Sequence, residues 1–335
     1  MRIFLHIGLH KTATTLLQQR VFSNLQGEIL YNPPPINTPL RETFRHTYLT
    51  GDRRDYFHRA LKTLKETVSS FSTLKNDKIL LLSHEGMSQL NFLQNYEEHA
   101  DLLHQIFPNA EIILFLRFQP DWLLSIYKQT VATGEHQSID QFLNFRDGEF
   151  QPTDSIYNAA GLLHIDVLKS NWIGLLRLYL DRFGRENVHV FFYEAFRHDK
   201  WKTLNDLTNI LDATLPDLSL DEVVNPSASA LTCRLLEHRF RLFNKVGLSW
   251  LCHTVEKDRE RYYKKVSDNF WRRPKLLTRR PLIQDAIERF FYKDWDLLER
   301  HGMRNKLTQY YRNQNRELVE SLPKEKIPPN YLNFT

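Results

Sequence analysis

The sequence predicts an α/β fold, with a central, mainly parallel sheet flanked by helices and a helical part towards the C-terminus. Three observations predict it. Short apolar runs begin at Arg2 (RIFLHI), Lys78 (KILLL), Glu111 (EIILFL) and Val188 (VHVFF), each long enough for one buried strand. Between them lie stretches whose apolar residues recur at three- and four-residue spacing, the period of a helix packed on one side. At 335 residues with no internal repeat, the chain fits one sizeable domain over 1–335: an α/β core at 1–215, a helical part at 216–321 and a tail at 322–335.

The first element is the most informative. RIFLHI runs into GLHKTATT, and Leu17, Val21 and Leu25 then open a helical stripe, so the order is strand, loop, helix. The N–H groups of a helix's first turn lack intrahelical partners, and the aligned peptide dipoles make that end positive, so phosphate or sulfate oxygens are favoured there. Gly8 permits a sharp exit from the strand, Thr12, Thr14 and Thr15 bring hydroxyl donors, and Lys11 brings a full charge. The loop reads as an anion cradle, or more plainly as a capped turn with a solvated lysine. Only Leu9 and His10 separate Gly8 from the Lys-Thr pair, too short a span for the Walker pattern, which counts against a kinase.

Tyr31 to Asp55 contains three consecutive prolines and is predicted to be a surface loop, either a connector or part of an acceptor pocket. A helix over 56–74 leads to the second strand, which ends in Ser83-His84-Glu85-Gly86. Ligands of open α/β sheets collect beyond the carboxyl ends of parallel strands, so Glu85 and His84 are candidates for chemistry. The alternative is that Glu85 caps a turn or pairs with a nearby cation while His84 is a loop side chain. A helix over 96–107 stops at Pro108-Asn109, and the third strand ends in Arg117. In the helix after it, Leu123, Ile126, Tyr127, Thr130 and Val131 share one face and Ser125 lies off it. Arg117 and Ser125 suit a second anion, by a guanidinium fork and a hydroxyl; otherwise Arg117 pairs with a carboxylate such as Asp121 and Ser125 is small for close packing.

Strand-GLHKTATT-helix, followed about a hundred residues later by strand-RFQPDWLLSIYKQ, resembles the two nucleotide-binding motifs of the sulfotransferases, in the form of bacterial members related to carbohydrate sulfotransferases. LYLDRFGRENVHVFFYEAF (Leu178 to Phe196) resembles the family's helix, FG turn, fourth strand and Tyr-Glu segment. The resemblance implies a P-loop-like three-layer fold and transfer of a sulfonate group from 3'-phosphoadenosine 5'-phosphosulfate to a hydroxyl of a carbohydrate or other small-molecule acceptor, without a metal. It implies that His10, Lys11, Thr12, Ala13, Thr14 and Thr15 hold the 5' end of the donor, and Arg117 and Ser125 its 3'-phosphate. Lys11 then neutralises charge on the leaving oxygen, and Glu85 is the base by the same resemblance, with His84 and His10 as rivals. The chain departs from the family at Ala13, where Gly is usual, and in lacking the Gly-Asp-Trp-Lys element of the cytosolic enzymes, so the adenine side is unassigned. A P-loop-type phosphotransferase and a catalytically silent nucleotide-binding protein are the alternatives.

Further along, 134–147 reads as a loop with one short helix, 162–183 as a long amphipathic helix, 201–211 as a helix with core leucines, and 232–244 and 283–301 as helices. Arg272, Arg273, Lys275, Arg279 and Arg280, with Phe270 and Trp271, form a basic and aromatic cluster that reads first as a solvated charged face and second as a group able to close over a nucleotide. The tail from Leu322, with its prolines and little periodicity, reads as loosely packed. Forty-five basic against 40 acidic residues give +5, compatible with an anionic ligand and too small to argue for nucleic acid. Two cysteines without metal-ligand spacing, no apolar run of membrane-spanning length and a start directly in a core strand point to the cytoplasm.

Overall fold

The computed structural model describes residues 1–45, 47, 54–72, 78–89, 94–132, 137–153, 163–218, 220, 228–245 and 290–332, which divide into two compact units. The first comprises Met1–Gln119, Lys169–Asn225 and Thr308–Thr335. Its sheet has five strands, β1 (Arg2–Gly8), β2 (Ile29–Tyr31), β3 (Ile79–Ser83), β4 (Glu111–Leu116) and β5 (Val188–Phe192), in the order 2-3-1-4-5 with every neighbouring pair parallel. The predicted α/β fold with its central parallel sheet is therefore present.

Both faces of the sheet are covered, so successive residues of a strand are buried alike: Phe4, Leu5, His6 and Ile7 each have no exposed surface. This is why the strands read as continuous apolar runs and not as alternation. One face carries Phe4, Ile113, Phe115 and Phe191 against Leu17, Val21 and Phe22 of the first helical stretch and Leu204, Leu207 and Leu211 of the helix Lys200–Ile210 and its cap. Phe115 stacks on Phe191 at 4.9 Å. The helix Trp172–Phe183 packs on β4 and β5, and the helix Tyr96–Ile106 packs on it in turn.

Because all five strands run one way, their carboxyl ends share one edge. In register, His6 lies opposite Ser83 and Gly8 opposite Leu114, while Leu116 lies opposite Phe192. The segments that follow β1, β3, β4 and β5 consequently emerge side by side.

Residues 31–55, predicted to be a loop, instead contain the helix Pro34–Arg45. Pro34 and Pro35 occupy its first turn, where a missing N–H costs nothing. Ile36, Pro39, Leu40, Thr43 and Phe44 form its buried stripe, whose packing outweighs the cost of Pro39 within the helix. The predicted helix 162–183 is shorter. Asp166 accepts a bond from the Leu168 amide (2.9 Å) and Asn171 one from Gly174 (3.1 Å), so side chains cap the backbone and the helix starts only at Trp172. Nor is the tail loose: Ile327 and Tyr331 are buried, and the Tyr331 ring meets Phe192 at 4.9 Å and Phe118 at 5.5 Å.

The second unit comprises Pro120–Leu168 and Pro226–Leu307. Most of the helix Gln119–Ala132 belongs to it, with Trp122, Leu123, Ile126, Tyr127 and Val131 buried. The short helix Ile139–Phe142 starts from a Ser138/Gln141 capping box. Glu237, on the helix Ala230–Lys245, has a buried carboxylate among Arg234, Arg241 and Arg300. The helix predicted over 283–301 differs where it is described. Residues 291–296 are not helical, Asp296 caps a 3-10 stretch at Leu297–Gly302, and the next helix spans Met303–Ser321. The cluster Phe270 to Arg280 lies outside the described residues. Among those residues, no helix is long and apolar enough to cross a membrane.

Candidate functional site

The strand tips of the first unit bring most of the expected residues together. β1 leaves the sheet at Gly8 with φ of +96°, and a Cβ there would stand 3.3 Å from the Cα of Glu85. Only glycine satisfies both the backbone angle and this close approach. The Leu9 amide then bonds to the Phe115 carbonyl on β4 (2.9 Å), so the loop that follows is anchored between the β3 and β4 ends.

Within the loop, Lys11 (φ 63°) and Ala13 (φ 65°) are left-handed on either side of Thr12, a geometry that turns successive N–H groups into an anion-binding concavity. The hydroxyls of Thr12 and Thr14 do not join it. Both are buried and donate to the Leu9 carbonyl, at 2.6 and 2.9 Å. They hold the loop's shape, and what these two residues leave for an anion is backbone N–H. Thr15 follows in the first helical turn, which continues through a π stretch at Leu17–Val21 to Asn24.

Ala13 thus holds a conformation that costs a non-glycine residue about 1–2 kcal/mol, against about 0.5–1 kcal/mol of extra chain entropy lost by glycine. Ala13→Gly should therefore raise stability by roughly 0.5–1 kcal/mol, seen as a higher urea midpoint with an unchanged slope.

Arg117 closes the loop from the β4 side. Its Nη1 donates to the Lys11 carbonyl (3.0 Å), its guanidinium carbon lies 4.4 Å above the Tyr193 ring, and its own carbonyl accepts from the Trp172 indole (2.7 Å). Its Nε is buried and makes no hydrogen bond among the described residues, so donor capacity remains. The Phe118 amide is taken by Glu194 (2.8 Å). Asp121, the carboxylate considered for Arg117, bonds to Arg304 within the second unit (2.9 Å). Ser125 is buried on the helix Gln119–Ala132, also in that unit.

Glu85 opens the 3-10 turn Glu85–Met87 beyond β3. Its side chain is 42% exposed, and its carboxylate lies 3.9 Å from Nε2 of His10. Burial and the Arg117 charge lower the Lys11 pKa, with Glu85 opposing them. Burial also lowers that of His10, where Glu85 opposes and Lys11 reinforces the effect. His84 differs in kind: its ring packs where a Gly86 side chain would be, its buried Nδ1 makes no hydrogen bond among the described residues, and burial pushes its pKa down to about 3, with Arg41, His10, Arg45 and His99 acting in the same direction.

Sequence reasoning missed Trp172 and the stacking role of Tyr193, together with a polar knot behind Glu85. The Ser83 hydroxyl lies 2.6 Å from Nδ1 of His6 and accepts from Nε2 of Gln18 (3.1 Å), while its backbone exchanges bonds with Asn32 (2.8 and 3.2 Å). Gln18 also donates to the Ser83 carbonyl (3.1 Å), tying the helical stretch after Lys11 to the strand that carries Glu85. A polar His6 inside an otherwise apolar strand was the available signal.

Burial drives His6 to about 3 and His99 to about 4, in addition to His84. Each binds a proton more readily unfolded than folded, so its contribution is complete above about 6.5 and is lost as pH falls towards 4 and 3. Each such group is worth up to about 1.4 kcal/mol per pH unit in that window. The urea midpoint should fall steeply from pH 6.5 to 4; a flat profile would show these rings to be hydrated.

No protein-family model matches the chain, and no curated protein matches it in sequence. Solved structures do. A sulfotransferase from Alicyclobacillus acidocaldarius is 20% identical, covering 77% of this chain and 98% of that one, with a TM-score of 0.43. The sulfotransferase domain from the curacin biosynthetic pathway is 12% identical over 64% and 75% of the two chains, with a TM-score of 0.32. Mouse sulfotransferase SULT7A1, complexed with PAP, is 13% identical over 86% and 88%, with a TM-score of 0.31.

Proposed function

We propose that this chain is a sulfotransferase that moves a sulfonate group from 3'-phosphoadenosine 5'-phosphosulfate to a hydroxyl of a carbohydrate or other small acceptor. One observation carries the reading. A lysine, an arginine and a carboxylate lie just beyond three adjacent parallel strands, and Arg117 is hydrogen-bonded to the Lys11 loop itself (3.0 Å). A donor with anionic groups at two positions of its ribose needs two cationic grips close together. The left-handed loop supports this, and so does the unused Nε of Arg117.

In this reading the amides of residues 11–15 and the Lys11 ammonium hold the 5' end, with His10 beside them, and Arg117 holds the 3'-phosphate. The bond between sulfur and the bridging oxygen breaks as the acceptor oxygen bonds to sulfur. Lys11 meets the charge left on the bridging oxygen, Glu85 accepts the acceptor's proton, and 3',5'-bisphosphoadenosine leaves. Glu85 suits the base because it is exposed and a neighbour of His10. His84, packed away and held near 3, is a poor proton acceptor at neutral pH.

Calorimetry tests the reading. 3',5'-Bisphosphoadenosine should bind without Mg²⁺ far more tightly than ADP or ATP, and equal or reversed preference would favour a phosphotransferase. Tight binding with no sulfonate consumed across a broad acceptor panel would favour a silent nucleotide-binding protein. Arg117→Ala should weaken nucleotide binding by roughly 10- to 100-fold, the scale of a lost charge-assisted hydrogen bond.

A further inference from the structure

We propose that Gln18 is a positioning residue for the transfer reaction: acting through Ser83, it fixes Glu85 against the Lys11 loop. The inference deepens the transfer reading above and rests on it. The two groups that act in that reading are anchored to different strands. The Lys11 loop is tied to the β4 side, since the Leu9 amide bonds to the Phe115 carbonyl, Thr12 and Thr14 bond to Leu9, and Arg117 grips the Lys11 carbonyl. Glu85 follows β3, and the Ser88 hydroxyl donates to its carbonyl (3.1 Å). In-line displacement sets attack and departure on opposite sides of sulfur, so base and cation must keep a fixed separation.

Gln18 crosses from one anchor to the other. It lies one turn beyond Thr14 in the helical stretch that leaves the loop, and its amide reaches Ser83, two residues before Glu85. A carbonyl oxygen can only accept, so the Gln18 atom facing the Ser83 carbonyl at 3.1 Å is the nitrogen. The second hydrogen of that nitrogen reaches the Ser83 hydroxyl, also at 3.1 Å. Having accepted there, the hydroxyl has one proton to give, and Nδ1 of His6 receives it at 2.6 Å. A donor chain therefore runs from Gln18 through Ser83 to His6. It requires a neutral imidazole protonated at Nε2, and burial keeps His6 neutral. That Nε2 makes no hydrogen bond among the described residues, and the ring is walled edge-on by Phe22 and Phe115 at 5.1 and 5.6 Å. The chain thus ends in a packed stop on β1, which holds the Ser83 hydroxyl in one direction. Asn32 secures the Ser83 backbone from the β2 side, and the Tyr31 hydroxyl donates to the Gln18 carbonyl (3.2 Å).

Gln18→Met tests the assignment, because it keeps the length of the side chain and removes its donor. The Ser83 carbonyl still accepts from Asn32 and the hydroxyl still bonds to His6, so no buried acceptor is orphaned, and the urea midpoint should stay near the wild-type value. Affinity for 3',5'-bisphosphoadenosine should hold as well, while kcat at saturating donor falls about 10- to 100-fold. In a Glu85→Gln background the same substitution should have little further effect, since Gln18 works through Glu85. An unchanged kcat, an equal fold-loss in the Glu85→Gln background, or a fall confined to nucleotide affinity would each overturn the inference. If no acceptor reacts with the wild type, the transfer reading fails by that result, and crystal structures of wild type and Gln18→Met judge the positioning: a Glu85–Met87 turn displaced by about an ångström from Gly8 supports it, and an unmoved turn refutes it.

Discussion

Lys11→Ala is expected to lower the rate of sulfonate transfer about 10²- to 10³-fold while changing nucleotide affinity far less. The expectation follows from what the side chain does not do. The loop is held by the Lys11 carbonyl, which Arg117 grips, and by the Thr12 and Thr14 hydroxyls on Leu9. Alanine keeps that carbonyl and tolerates the left-handed backbone as well or as poorly as lysine. The substitution therefore removes an ammonium and little else, and in the proposed transfer the ammonium matters most when charge collects on the departing oxygen. Single-turnover rates measured beside calorimetric affinities separate the two effects. A loss confined to affinity would take Lys11 out of the chemical step.

Glu85→Gln should cost roughly 10²- to 10⁴-fold in turnover at saturating nucleotide. The replacement keeps the side chain's size beside Gly8 and removes only its ability to take a proton. Retained activity would transfer the role to His10, 3.9 Å away, whose proton affinity burial already lowers. His84→Gln serves as the contrast: it should disturb the Gly86 turn and stability more than the pH dependence of the reaction, because the ring is uncharged throughout the working range.

These expectations draw on features of unequal legibility in the sequence. β4 and β5 occupy the residues their apolar runs predict, and β3 is displaced by one, because a strand buried on both faces leaves an unbroken apolar signature. The neighbourhood of Lys11, Glu85 and Arg117 was readable from their common position just after such strands. The helix Pro34–Arg45 was hidden because three prolines signal a break, although two of them sit where a helix begins. The inward turn of Thr12 and Thr14 was hidden for a different reason. A hydroxyl's direction is decided by a carbonyl left unpaired in the same loop, here that of Leu9, and sequence spacing carries no trace of it. Ser83 looked like the last residue of a strand, yet it joins His6, Gln18 and Asn32, residues from three distant stretches that only topology brings together.

Tyr331 has a consequence for how the molecule is made. Its ring fills the space against Phe118 and Phe192, the residues next to Arg117 and Tyr193. A ribosome therefore delivers this plug after every other part of the cationic edge has emerged. Until residues 327–331 clear the exit tunnel, Phe118 and Phe192 lack this apolar cover, and chains cut short before that point should engage chaperones instead of accumulating in the folded state.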